Sequence, residues 1–180
     1  MIKIIYFVHG TTTDNEKDLA TGWSDGELSE LGIQQSKDLG KLVTDRSFLV
    51  VFCSDLKRAV DSANLAFGDK YQIIPDARLR EVNYGDFTEQ PASQFKKDLS
   101  DFIETPFPNG ESYKDVEKRI ADFLKEVTEK YNGQHIAIVA HQAPHLALDV
   151  LLKGKIWALA IAEDWRNTKA WQPGWEYTVK

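Results

Sequence analysis

A single cysteine, Cys53, stands among the 180 residues, so no internal disulfide can form. The fold has to be held by burial, and a reducing compartment is compatible with that. Cys53 ends the apolar run from Leu49, where a thiol serves as a small core residue. Positive charge is in deficit as well: 22 Lys and Arg against 28 Asp and Glu give a formal net charge of −6. This argues against nucleic acid as a partner, because nonspecific binding needs a basic surface. A small anion stays compatible, since a local basic pocket can outweigh an acidic surface. No apolar stretch is long enough to span a bilayer, so no membrane partner is expected. The N-terminal apolar run is too short for a signal peptide and lacks a small-residue cleavage site. Repeats, low-complexity tracts and long linkers are missing too. These absences predict a cytoplasmic enzyme in one domain, residues 1–180, with a sizeable core.

What is present alternates between strand and helix, which points to a mainly parallel sheet covered on both faces, a three-layer α/β/α sandwich. Ile2–Val8 is an apolar run, interrupted by Lys3, and reads as a strand buried on both faces. Ser29 can cap a helix running to about Thr44, with Leu31, Leu39 and Leu42 on one side and Gly40 as a blemish. Leu49–Cys53 and Tyr71–Ile74 are further strands, with a helix carrying Arg58 between them. A helix is predicted near Ala92–Ile103, before the break at Pro106, Pro108, Asn109 and Gly110. The helix from Ser112 to about Tyr131 gathers Val116, Ile120, Phe123, Leu124 and Val127 on one face. His135–Ala140 is a strand and Pro144–Leu152 a helix with proline in its first turn. The tryptophan-rich tail (Trp157, Trp165, Trp171, Trp175) reads as a C-terminal flap or an interface, the latter leaving a homodimer open.

Strand ends carry the chemistry. His9 and His141 each follow a strand, and Arg58 sits at the start of the helix after another. In a parallel sheet those ends lie along one edge, where ligands bind. Two imidazoles and a guanidinium suit a phosphoryl group, offering a nucleophile for phosphorus and fixed donors for its oxygens. Histidine attacks only as neutral imidazole, available near neutral pH. Its other nitrogen should donate to a backbone carbonyl near Gly10, fixing the tautomer.

Several segments, in order, resemble the histidine phosphatase (phosphoglycerate mutase-like) superfamily. Val8-His9-Gly10-Thr11-Thr12-Thr13-Asp14-Asn15 resembles its Arg-His-Gly-x-Thr-x-x-Asn signature. Gly22-Trp23-Ser24-Asp25 through Leu28-Ser29 to Gly32 and Gln35 is similar to its Gly-Trp-x-Asp segment. Ser54-Asp55-Leu56-Lys57-Arg58-Ala59, Leu79-Arg80-Glu81 with Tyr84-Gly85, Pro108-Asn109-Gly110-Glu111-Ser112 and Val139-Ala140-His141 match further segments. The resemblance implies a metal-independent phosphomonoester hydrolase that needs no cofactor and acts through a phosphohistidine. It makes His9 the nucleophile, Arg58 and His141 holders of phosphoryl oxygens, and Glu81 the general acid. Asn15 falls at the phosphate pocket, with Gly10, Thr11, Thr12, Thr21, Gly22 and Gln142 as further substrate-binding candidates.

The match departs at Val8, where the family has arginine, and at Gln142-Ala143-Pro144, where glycines are usual. Loss of one preorganised donor costs ~10²–10³ in rate, so a slow or compensated enzyme is expected; Thr11, Thr12, Lys57 and His145 are candidate compensators. The short stretch between Glu81 and Gly110 favours a phosphatase over a mutase-type phosphotransferase. Two other readings stay open: a noncatalytic phospho-ligand binder, and a metal hydrolase using His9, Glu81, His141 and His145. Phe87, Phe95, Phe102 and Phe107 are read as core packing or as an apolar lid.

Overall fold

The structure, a computed structural model, describes residues 1–179. The chain runs β1 (Ile2–Val8), α1 (Thr13–Glu16), α2 (Glu30–Leu42), β2 (Val50–Cys53), α3 (Lys57–Phe67) and β3 (Ile73–Pro75). After an irregular stretch come α4 (Tyr113–Lys130), β4 (His135–Ala140), α5 (Gln142–Lys153), α6 (Trp157–Ala162), α7 (Trp165–Thr168) and β5 (Trp175–Val179). The strands form one sheet in the order β3-β2-β4-β1-β5, parallel except for β5. This is the α/β architecture that the alternation of strand and helix predicts.

From Ile4 to Phe7 β1 is apolar at every position, which buries both faces of a parallel strand; Lys3, nearer its start, is exposed. Along β1, Ile4 and Tyr6 pack with α4 and α5, whereas Ile5 and Phe7 pack with Ala63 and Phe67 of α3. Helices therefore cover both faces. Helix α4 starts at a reciprocal cap, Ser112 and Asp115, and turns its Val116–Ile120–Phe123–Val127 stripe inward. Helix α2 behaves differently. Its Leu31 and Leu42 are 54% and 62% exposed, and only Gly32 and Ser36 are buried. Of the apolar side read for it, Leu31 and Leu42 face a cavity, while Leu39 also packs on the core. Gly40 is the point of closest approach to α3: a Cβ there would lie 2.4 Å from the Ala66 carbonyl oxygen.

One expectation is corrected. The stretch expected as a helix near Ala92–Ile103 forms 3₁₀ segments, Ala92–Gln94 and Lys96–Phe102, with Asp98 off helical geometry (φ −110°, ψ 22°). Three residues per turn align Ala92 with Phe95. The break at Asp98 then shifts the inward positions to Leu99 and Phe102. Those aromatics join Phe87, Phe107 and Tyr84 in a cluster, with Phe102 and Phe107 stacked at 3.8 Å. The tail lines the cavity with Trp165 and Trp171 and then ends in an unexpected strand, β5. Trp175 and Tyr177 alternate inward, and β5 pairs antiparallel with β1 from Ile2↔Val179 to Tyr6↔Trp175. No helix among the described residues is long and apolar enough to cross a membrane.

Candidate active site

The register Val8↔Ala140 brings the ends of β1 and β4 side by side, and the ladder continues as His9 N–H donates to the Ala140 carbonyl. Their next residues, His9 and His141, therefore stand with ring centroids 5.0 Å apart. His9 Nδ1 lies 2.7 Å from the Gly10 carbonyl oxygen. A carbonyl can only accept, so Nδ1 carries the hydrogen and Nε2 keeps a free lone pair. Burial first, then the Arg58 guanidinium, push the His9 imidazole down to about 3, against the opposing pull of the Gly10 bond. His141 is fully buried and held well below its ordinary value, chiefly by burial and then by Arg58. Both imidazoles are thus neutral at pH 7. Neither ring nitrogen of His141 has a hydrogen-bond partner among the described residues, a costly state for a buried polar group.

The loop carrying His9 is clamped from two sides. Gly10 N–H donates to Ser62 Oγ at 3.0 Å, and Ser62 Oγ donates to the Arg58 carbonyl one turn earlier on α3. On the other side α2 crosses so closely that a Cβ on Gly32 would lie 1.9 Å from the Thr11 carbonyl oxygen. Arg58, only 2% exposed, donates from Nη1 to the Ser24 carbonyl at 3.0 Å and from Nη2 to the Gly22 carbonyl at 2.7 Å. Two of its five donors fix the guanidinium and three remain for a ligand.

Glu81 is placed by a scaffold of motif residues. Arg119 of α4 donates to the carbonyls of Arg78, Arg80 and Glu81 and pairs with Glu111. Trp23 Nε1 also donates to the Glu81 carbonyl, at 2.7 Å, while Arg80 stacks over Trp23 and binds Asp55 through two bonds. The Glu81 carboxylate accepts three amide hydrogens, from Val82 (2.9 Å), Ala143 (2.9 Å) and Gln142 (3.1 Å). The last two are the first amides of α5, whose N-cap residue His141 supplies no side-chain cap. Pro144 follows in the first turn, where its missing N–H costs nothing.

These groups converge on a cavity of about 710 Å³. His9, Gly10, Thr11, Asn15, Thr21, Gly22, Arg58, Glu81 and Gln142 line it, and His141, fully buried, stands beside His9 without forming part of the lining. Thr12 is corrected: it is fully buried, and its hydroxyl caps α1 by accepting from Asn15 N–H. Thr11 lines the cavity, yet its hydroxyl donates to Gln35 Oε1. Lys57 is ion-paired to Glu27 and Asp61. His145 stacks on Tyr6 at 5.2 Å and packs at 4.5 Å from Trp175, away from His9. A His-x-x-x-His pair therefore does not converge. Val8 is half-buried, packs on the core and contributes an apolar edge to the cavity.

Some lining residues escaped sequence reading. Ser62 was findable, since it lies one turn beyond Arg58 on the same helix face. Arg166 was not, because only the return of the tail as β5 carries α7 to the cavity.

Fold and site together define a class. The chain matches the histidine phosphatase superfamily (branch 1) over residues 5–168. It belongs to that superfamily. It is 30% identical over 145 residues to the adenosylcobalamin/alpha-ribazole phosphatase of Escherichia coli K12, covering 74% of this chain and 70% of that protein. A mycobacterial glucosyl-3-phosphoglycerate phosphatase, solved with VO3, superimposes with a TM-score of 0.78 at 27% identity, covering 89% of this chain and 86% of that one. The 2,3-bisphosphoglycerate-dependent phosphoglycerate mutase of Streptococcus equi subsp. zooepidemicus is 36% identical, but over 107 residues, which cover 56% of this chain and 46% of the mutase.

Proposed function

We propose that this chain is a metal-independent phosphomonoester hydrolase that works through a phosphohistidine on His9. The observation that carries the proposal is the His9 tautomer: Nδ1 is committed to Gly10, leaving a neutral Nε2 beside Arg58 and His141. Nε2 attacks phosphorus while Arg58 and the N–H of His141 hold equatorial oxygens. Glu81 acts as the acid toward the departing alkoxide; it then takes a proton from the water that attacks the phosphohistidine, which releases phosphate and restores His9. Among the substrate-binding candidates, Asn15, Thr21, Gly22 and Gln142 line the same cavity. The space beyond the phosphoryl position, between Leu31, Leu39 and Leu42 of α2 and Trp171, admits a sizeable organic group. The phosphatases among its relatives, and the partial match to the mutase, support hydrolysis over transfer.

Rapid quenching with a ³²P-labelled aryl phosphate tests this. The expected result is an acid-labile, base-stable label on wild-type protein, absent from His9→Ala, with water as the final acceptor. Tight phosphate binding without any label would make the chain a binding protein; label passing to a second alcohol would make it a phosphotransferase.

A further inference from the structure

The charge balance of the site is incomplete. His9 and His141 are neutral, and with Glu81 as the acid, Arg58 is the one full charge among the proposed catalytic residues. Val8, the last residue of β1, adds no charge. A phosphomonoester brings about −1.5 to −2 at pH 7, more than Arg58 alone offsets. Two more positive residues line the cavity, Lys96 and Arg166. Lys96 is exposed on a 3₁₀ segment.

Arg166 is held in place. Asp164 caps α7 and accepts from both the backbone N–H and the Nη1 of Arg166, at 3.1 and 3.2 Å. The guanidinium also stacks on Trp165, 4.5 Å from the ring centroid. Asp164 is in turn bonded by the side-chain amide of Gln142, whose backbone N–H donates to Glu81. Arg166 is therefore wired to the catalytic strand end through Asp164 and Gln142. The Asp164 side chain is 1% exposed and that of Arg166 30%, and only Arg166 lines the cavity. The guanidinium thus stands between the carboxylate and the pocket. Its Nε and Nη2 have no hydrogen-bond partner among the described residues. Its charge reaches both imidazoles, favouring their neutral forms.

We propose that Arg166, carried by the C-terminal helix α7, is a phosphate-binding residue of this site and supplies the second guanidinium that the end of β1 does not. The proposal rests on the phosphatase reading. It also gives the Asp164–Gln142 contact a purpose, aiming a tail residue at the phosphoryl group.

The test is inorganic phosphate and orthovanadate affinity of the full chain by calorimetry, with thermal unfolding measured on each preparation. Arg166→Gln is expected to weaken both ligands about 10- to 100-fold, the loss of one charged hydrogen-bonding group. Arg166→Lys should retain part of the affinity, and Lys96→Gln should cost less than Arg166→Gln. In the Arg166→Gln background, Val8→Arg should recover binding, because it restores a guanidinium beside His9. Wild-type affinity in every folded variant lacking the Arg166 guanidinium overturns the proposal. If Arg166→Gln does not fold, Arg166→Lys decides: undiminished affinity there overturns it, since a lysine cannot reproduce the planar fork. The phosphohistidine label keeps the two readings apart. Label on His9 with unchanged phosphate affinity in Arg166→Gln removes Arg166 alone, whereas wild-type protein with neither label nor phosphate binding removes both.

Discussion

Glu81 has two tasks that one substitution separates. Its carboxylate accepts the first two amides of α5 and so replaces the missing helix cap. It is also the acid of the proposed reaction. Glu81→Gln keeps the shape but turns an NH₂ toward an amide donor, and it has no proton to give. Hydrolysis of alkyl phosphates is expected to fall ~10²–10⁴-fold. Activated aryl phosphates should be much less affected, because their leaving groups need little protonation. Stability should fall by about 1 kcal/mol, as for loss of a helix cap. Leaving-group dependence together with urea denaturation reads both effects; equal slowing of both ester classes would strip Glu81 of the acid role and leave the cap.

Among the elements, α2 sets how the His9 loop lies. Gly32 allows the helix backbone to touch the loop at Thr11, and Ser29, the N-cap residue, ties the same carbonyl through its own N–H. A methyl group at residue 32 meets backbone, which cannot rotate away. Gly32→Ala is expected to cost about 1–3 kcal/mol, the range for overpacking, and to lower kcat further by displacing His9. Thermal unfolding and single-turnover rates check this, and normal values for both would show that the loop can give. The same helix shows what was legible in sequence. Its span and its Ser29 cap could be read, and so could β1 and α4, because short apolar runs and a 3.6-residue stripe are local signals. The destination of Leu31 and Leu42 could not, since periodicity marks a face without saying whether core or cavity lies against it. Likewise His9, Arg58, Glu81 and Asn15 were legible from motif and strand-end position. The placement of Arg166 depends on the β5–β1 pairing, a contact between chain ends that no window of sequence contains.

For the molecule as a whole, buried imidazoles make folding depend on acidity. His145 is 4% exposed between Tyr6 and Trp175, and burial pushes it down to about 4; His141 and His9 are lowered in the same direction. An unfolded chain protonates these rings near pH 6.5 while the folded one resists. As pH falls the unfolded state therefore takes up protons first. The stability is complete above 6.5 and declines below it, through about 4 for His145 and about 3 for His9. Each fully buried ring contributes a slope of up to about 1.4 kcal/mol per pH unit. Urea midpoints are expected to drop steadily from pH 7 to 5, and His145→Leu should flatten part of that drop. A midpoint independent of pH in this range would mean that the rings are hydrated or paired.

The pocket divides its labour between two kinds of material. Its floor is made from strand ends locked into the sheet, while much of its outer wall is Leu31, Leu42 and Trp171, each more than half exposed. Changes to such surface side chains usually shift stability by no more than about 0.5 kcal/mol. Inherited mutations can therefore reshape what the wall accepts without disturbing the floor. A lineage built on this scaffold can drift from one ester to another while its chemistry stays fixed.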